Sequence, residues 1–85
     1  MALDVTVVAA DREVWSGQAK RVVAKSVEGE IGILTGHEPV LAVIAGGDVR
    51  IIDSNDHLVT AHAAGGFMSV ENDRVNIVAD TAKLV

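Results

Sequence analysis

The chain predicts an all-β fold of the sandwich or barrel kind, on three observations. Apolar and polar residues alternate with period 2 along nearly its whole length. Strand-length segments recur about every 8–12 residues, separated by Gly, Asn, Asp and Ser. No stretch of about 12 residues sustains the i, i+3, i+4, i+7 apolar stripe of an amphipathic helix. Eighty-five residues read as one domain, 1–85, with 49% apolar and 22% charged residues, well outside the disordered regime. A chain of this size buries only about 60–65% of its unfolded surface, so the core is thin.

In the first strand Leu3, Val5 and Val7 oppose Asp4 and Thr6. Ser16-Gly17 reads as a turn leading into Gln18 to Lys25, where Ala19, Val22, Val23 and Ala24 are the apolar members. Ile31 to Leu34 is a short apolar strand, and Val40 to Ala45 reads as a buried one. After Gly46-Gly47 comes Asp48 to Asp53. Ser54-Asn55-Asp56, Gly65-Gly66 and Asn72-Asp73 are turns, which leaves strands at Leu58 to Ala63, Phe67 to Glu71 and Arg74 to Ala79. Only Asp80 to Val85 could begin a helix. Small β-branched side chains dominate the apolar set, as pleated sheets favour.

Composition removes several function classes. There is no cysteine, which excludes disulfides, thiolate-bound zinc and cysteine nucleophiles. Twelve acids against seven bases give a net charge of −5. Nucleic acids and anionic lipid surfaces both require a basic footprint, so neither is an expected partner. The longest apolar run, Val40 to Ala45, is far short of the roughly 20 residues that span a bilayer. Met1-Ala-Leu-Asp-Val-Thr has no basic n-region, so no signal peptide is read there, and the chain is expected to be soluble and cytoplasmic.

Candidate chemistry is sparse. His57 and His62 are five apart in a predicted strand region, so alternation sends them to opposite faces and away from a shared metal. His37 adjoins Glu38 but lacks a visible acid–base partner. Asp53-Ser54-Asn55-Asp56 starts like a calcium loop and then fails, with Leu58 where Gly is required and Ala64 where a bidentate Glu belongs. Glu28 and Glu30 flank Gly29 and leave three readings open: acid–base work, solvated charges, or orientation of a docking partner. Phosphate-binding glycine loops and a nucleophile elbow are absent from the sequence. No catalytic, cofactor or metal site is expected. The double-sided apolar strands are assigned partly to core and partly to a binding patch.

One stretch carries more information than the rest: Glu28-Gly-Glu-Ile-Gly-Ile-Leu-Thr-Gly-His-Glu-Pro-Val-Leu41. It packs three glycines, the only proline and several acids among residues that favour burial. It resembles the Gly-Glu-(Ile/Leu)-Gly-Ile-x-Pro-Gly-His-x-Pro-Leu-Leu signature of the epsilon subunit of F-type ATP synthases. Asp11 to Gly17, Gly65-Gly66-Phe67 with Val70, and Val75 to Thr81 are similar to further segments of that family, in the family order. Thr35 departs from it, standing where a proline is usual.

The resemblance implies a sandwich of about ten short strands in two sheets, and a non-catalytic rotor role in a proton-translocating complex. The implied partners are the gamma subunit and the membrane c-ring, at the cytoplasmic face of the plasma membrane and without lipid insertion. It directs Glu28, Gly29, Glu30, Ile31 and Gly32 toward the c-ring. His37, Glu38, Pro39, Val40 and Leu41 would lie near the junction of shaft and ring. The Ile/Leu-Asp-x-x-Arg-Ala motif of the family's helical C-terminal domain is missing, so ATP binding and a helical brake on hydrolysis are not expected. A stand-alone carbohydrate- or small-ligand-binding sandwich is the alternative reading, poorly served by two aromatics, Trp15 and Phe67.

Overall fold

The computed structural model describes residues 2–85, and every regular element among them is a strand. There are seven: β1 (Leu3–Ala9), β2 (Arg12–Ser26), β3 (Gly29–Leu34), β4 (Val40–Ile44), β5 (Gly47–Asp53), β6 (Leu58–Glu71) and β7 (Arg74–Leu84). Three of them are long. The first part of β2 pairs with β1, while its later part pairs with β3 and β5. The first part of β6 pairs with β5 and its second part with β4. β7 follows β6 across that division and pairs with β1 in parallel only at its beginning. Each long strand therefore belongs to two layers. One layer holds β4, late β6, early β7, β1 and early β2; the other holds β3, late β2, β5, early β6 and late β7. The expectation of about ten short strands is met as ten segments of seven continuous strands.

The crossings correct three local readings. Gly65-Gly66 is a bend inside β6 and no turn: pairing steps from Ala64↔Thr81 to Gly66↔Ala79, leaving Gly65 and Asp80 outside the ladder. A Cβ on Gly66 would lie 1.9 Å from the Val78 carbonyl oxygen, so the strands approach closely there. Ser16-Gly17 also lies within a strand, opposite Thr6 and Val5. Asp80 to Leu84 continues β7 and forms no helix, because Thr81, Ala82 and Lys83 find ladder partners on β6.

True turns sit where chemistry demands them. Asn72 and Asp73 both have positive φ, 50° and 59°, between the paired residues Glu71 and Arg74. That is the primed two-residue hairpin turn that Asn and Asp tolerate. At the β5–β6 connection the Asp53 carboxylate accepts from the N–H groups of Asn55 (2.8 Å) and His57 (2.9 Å).

The core is made by the inward rows of both layers. On one side Val7, Ile77, Met68 and Ala42 line up across four strands, and Val5, Val75, Val70 and Val40 form the next row. Val22, Ala24, Ile33, Val49, Ile51, Ala61 and Ala63 complete it from the other layer. No buried side chain among the described residues is polar or charged. β4 departs from the expected double-sided burial: Ile44 alone is buried, while Leu41 (70%) and Val43 (55%) are exposed.

Candidate partner interface

The signature residues fall into two groups, one at each end of β3. The β2–β3 hairpin is organised by Ser26. Its Oγ accepts from the Glu28 N–H (3.2 Å) and donates to the Gly29 carbonyl (2.8 Å), and Gly29 takes φ 125°. Glu30 follows opposite Lys25 on β2. Its carboxylate accepts from Arg50 Nη2 on β5 at 2.9 Å, so the Glu30 charge is held in an ion pair across the sheet. Both partners are exposed, and such a pair contributes only about 0–1 kcal/mol to stability. Its effect is to fix where the charge points. Ile31 is half-buried against the core and Gly32 lies on the outer face.

At the other end, the His37 N–H donates to the Leu34 carbonyl (3.1 Å) and Gly36 has φ 83°. With Thr35 outside the positive-φ residues, this is a type II turn with Gly36 at its third position. The Gly36 N–H donates to Asp73 Oδ1 at 2.7 Å, which ties the loop to the β6–β7 turn. His37 Nδ1 lies 2.7 Å from the Glu38 carbonyl oxygen, an acceptor only, so Nδ1 carries the proton. Pro39 leads into β4, where Val40 faces inward and Leu41 outward.

The six residues of β3 span about 20 Å at the usual strand rise. The ten candidates run along β3 and into the start of β4, with the Glu28–Gly29 turn and the His37–Pro39 loop at the two ends of β3. Between them the outer face of the first layer carries an apolar row: Val43, Phe67 (44% exposed), Val78 and Val8 are cross-strand neighbours on β4, β6, β7 and β1. Leu41 extends it along β4. The β4 part of this row lay in a strand already assigned partly to a binding patch; its continuation through Phe67, Val78 and Val8, and Arg50 and Asp73, escaped the sequence reading. The row had a local signal in Val78, which adds an apolar residue to the polar face of an alternating strand. Arg50 and Asp73 had none, since their partners are 20 and 37 residues away.

The remaining candidates do not converge. His57 lies outside β6, near Asp53 (3.7 Å), while His62 pairs with Asp48 (2.7 Å). No group of three metal-ligating side chains gathers among the described residues. An open cleft of about 480 Å³ lies between the β1–β2 turn and late β7, bordered by Asp11, Arg12, His62, Asp80 and Lys83. Trp15 lies over Gly17, where a Cβ would be 3.0 Å from the ring, so one indole face is already occupied. That leaves Phe67 alone as an aromatic surface and weakens the ligand-module alternative.

The fold and its surfaces define a rigid all-β scaffold that presents loops and an outer sheet face. Residues 2–85 match the model of the ATP synthase delta/epsilon chain β-sandwich domain. The ATP synthase epsilon chain of Micrococcus luteus is 50% identical over 82 residues, covering 96% of this chain and 90% of that one. The Frankia casuarinae epsilon chain is 40% identical over 84 residues and 99% of both chains. That of Streptomyces coelicolor is 45% identical, and this chain spans 66% of its length. Among solved structures, a chain of the Euglena gracilis mitochondrial ATP synthase superposes with TM-score 0.91 at 22% identity, over 98% of this chain and 53% of that one. One from the Tetrahymena thermophila central stalk and c-ring gives 0.75 at 20%, over 96% and 66%. At such identities the structural likeness speaks for the fold. The chain belongs to the ATP synthase delta/epsilon chain family, whose members are non-catalytic components of the enzyme.

Proposed function

We propose that this chain is a rotor subunit of a proton-translocating F-type ATP synthase, joining the gamma shaft to the c-ring on the cytoplasmic face of the membrane. The observation that carries the reading is the relationship over nearly the full length, 50% identity across 96% of the chain. The geometry supports it in two ways. A coupling body must transmit torque without yielding, and a closed two-layer ladder with a wholly apolar core is stiff. It must also hold two partners apart, and the Glu28–Gly29 turn and the His37–Pro39 loop lie at opposite ends of β3.

In this reading the Glu28–Gly32 hairpin, with Glu30 aimed by Arg50, meets polar loops of the c-ring. His37 to Leu41, continued by the exposed row through Val43 and Phe67, meets the gamma shaft. Charged groups at a rim set orientation and encounter rate, whereas desolvated apolar side chains supply affinity. No step of chemistry is assigned to any side chain.

The test is sedimentation of the chain with and without its cognate gamma subunit. A stable 1:1 complex is expected. A chain that is folded by circular dichroism yet sediments alone at micromolar concentrations would overturn the shaft assignment.

A further inference from the structure

We infer that Asp73 is the positioning residue of the His37–Leu41 docking loop, an inference that rests on the reading of that loop as a partner surface. Three observations carry it. The Gly36 N–H to Asp73 Oδ1 bond is short, 2.7 Å, and it is the one side-chain hydrogen bond among the described residues that reaches residues 35–39 from another part of the fold. Asp73 is itself immobilised: it occupies a left-handed conformation in a two-residue turn, and its carbonyl accepts from the Asp4 N–H at 2.8 Å. The loop it holds is otherwise weakly determined. Gly36 has open space around it, and the preceding turn position is Thr35, where proline would pre-set φ.

The anchor thus fixes the direction in which the loop leaves β3, from a turn that touches β1 and lies outside the proposed contact. A preorganised loop binds more tightly because less freedom is lost on association. Asp73 acts through Gly36 and need not touch the partner.

The experiment combines amide exchange with affinity, using the full chain and the cognate gamma subunit. Asp73→Gly keeps the left-handed backbone and removes the acceptor; Asp73→Asn keeps both. Asn72→Gly perturbs the same turn without touching the anchor. The expected result is that Asp73→Gly speeds Gly36 amide exchange and weakens gamma binding roughly 3- to 10-fold, leaving the exchange of core amides such as Ile77 unchanged. Asp73→Asn and Asn72→Gly should match the unmodified chain. Adding Thr35→Pro to Asp73→Gly should recover affinity by restoring the turn. Unchanged Gly36 exchange, or unchanged affinity in folded Asp73→Gly, overturns the inference alone. An unmodified chain that does not bind gamma overturns it together with the docking reading.

Discussion

Two glycines separate two costs that a substitution can carry. At Gly66 a methyl group would meet the Val78 carbonyl at 1.9 Å and the Ala79 Cα at 2.6 Å, with φ at 150°. Backbone cannot retreat as a side-chain tip can, so Gly66→Ala is expected to cost about 3 kcal/mol or more. Gly36 has nothing within 4 Å of its Cβ position, and only its φ of 83° resists substitution. Gly36→Ala should therefore cost about 1–2 kcal/mol. Urea denaturation of the two variants checks the order, and equal losses would show that space is not what distinguishes them. Asp53 makes a pH prediction at the same scale. The hydrogen bond from the His57 N–H, seconded by that from Asn55, holds its carboxyl below the ordinary 3.8. The unfolded chain then takes up its proton first as acid is added. The Asp53 contribution is complete above about pH 4 and is lost as pH falls through the lower folded value. Melting temperature followed from pH 6 to pH 2.5 should fall less steeply for Asp53→Asn than for the unmodified chain.

Among the elements, β6 and β7 decide the architecture and were the least legible in the sequence. Asn72-Asp73 could be read as a turn because its chemistry is local: two residues that tolerate positive φ join two alternating runs. Gly65-Gly66 has the same local appearance, yet it bends a strand and does not end it. What decides between the outcomes is β7 running alongside through both halves, a partner that no nearby residue announces. Asp80 to Leu84 shows the same limit, since Ala-Lys-Leu suits a helix until β6 offers a ladder. The signature loop stood out in the sequence by its glycines and proline; the Asp73 and Arg50 side chains that bond to Gly36 and Glu30 did not, because both reach across the fold. The shared β6–β7 ladder also sets a stability prediction. Met68 and Ile77 are fully buried cross-strand partners, so Met68→Ala should cost about 2–5 kcal/mol, whereas Ile77→Val should cost about 0.5–1.5. Chemical denaturation of each variant reads these directly. A loss below about 0.5 kcal/mol for Met68→Ala would mean that the interior can collapse around the missing atoms.

The whole molecule measures 30 × 24 × 19 Å and keeps its two proposed contact surfaces on different parts of one stiff body. Its outer faces differ in character. The second layer presents charges, Lys25, Glu30, Arg50, Asp48 and His62, around an open groove, while the first presents the apolar row through Phe67. If that row is covered by the shaft, then Phe67→Asp should leave the circular dichroism and melting temperature of the free chain nearly unchanged. Binding to gamma should weaken about tenfold or more, as expected for a central aromatic contact. Isothermal titration of the pair tests this, and unaltered affinity would remove Phe67 from the interface.

The parallel pairing of β1 with β7 also governs when this domain can form. Asp4 is matched to Arg74 and Ala9 to Ala79, so the first strand waits for residues some 70 positions later before its ladder is complete. A nascent chain emerging from the ribosome can assemble the hairpins in between, but it cannot close this body until residues 74–79 have been synthesised. Such long-range pairing places the folding rate in the slower, millisecond-to-second regime of β proteins. During that interval the edge of β1 is open to other chains. Prompt completion of β7 is thus the chain's own protection against aggregation at birth.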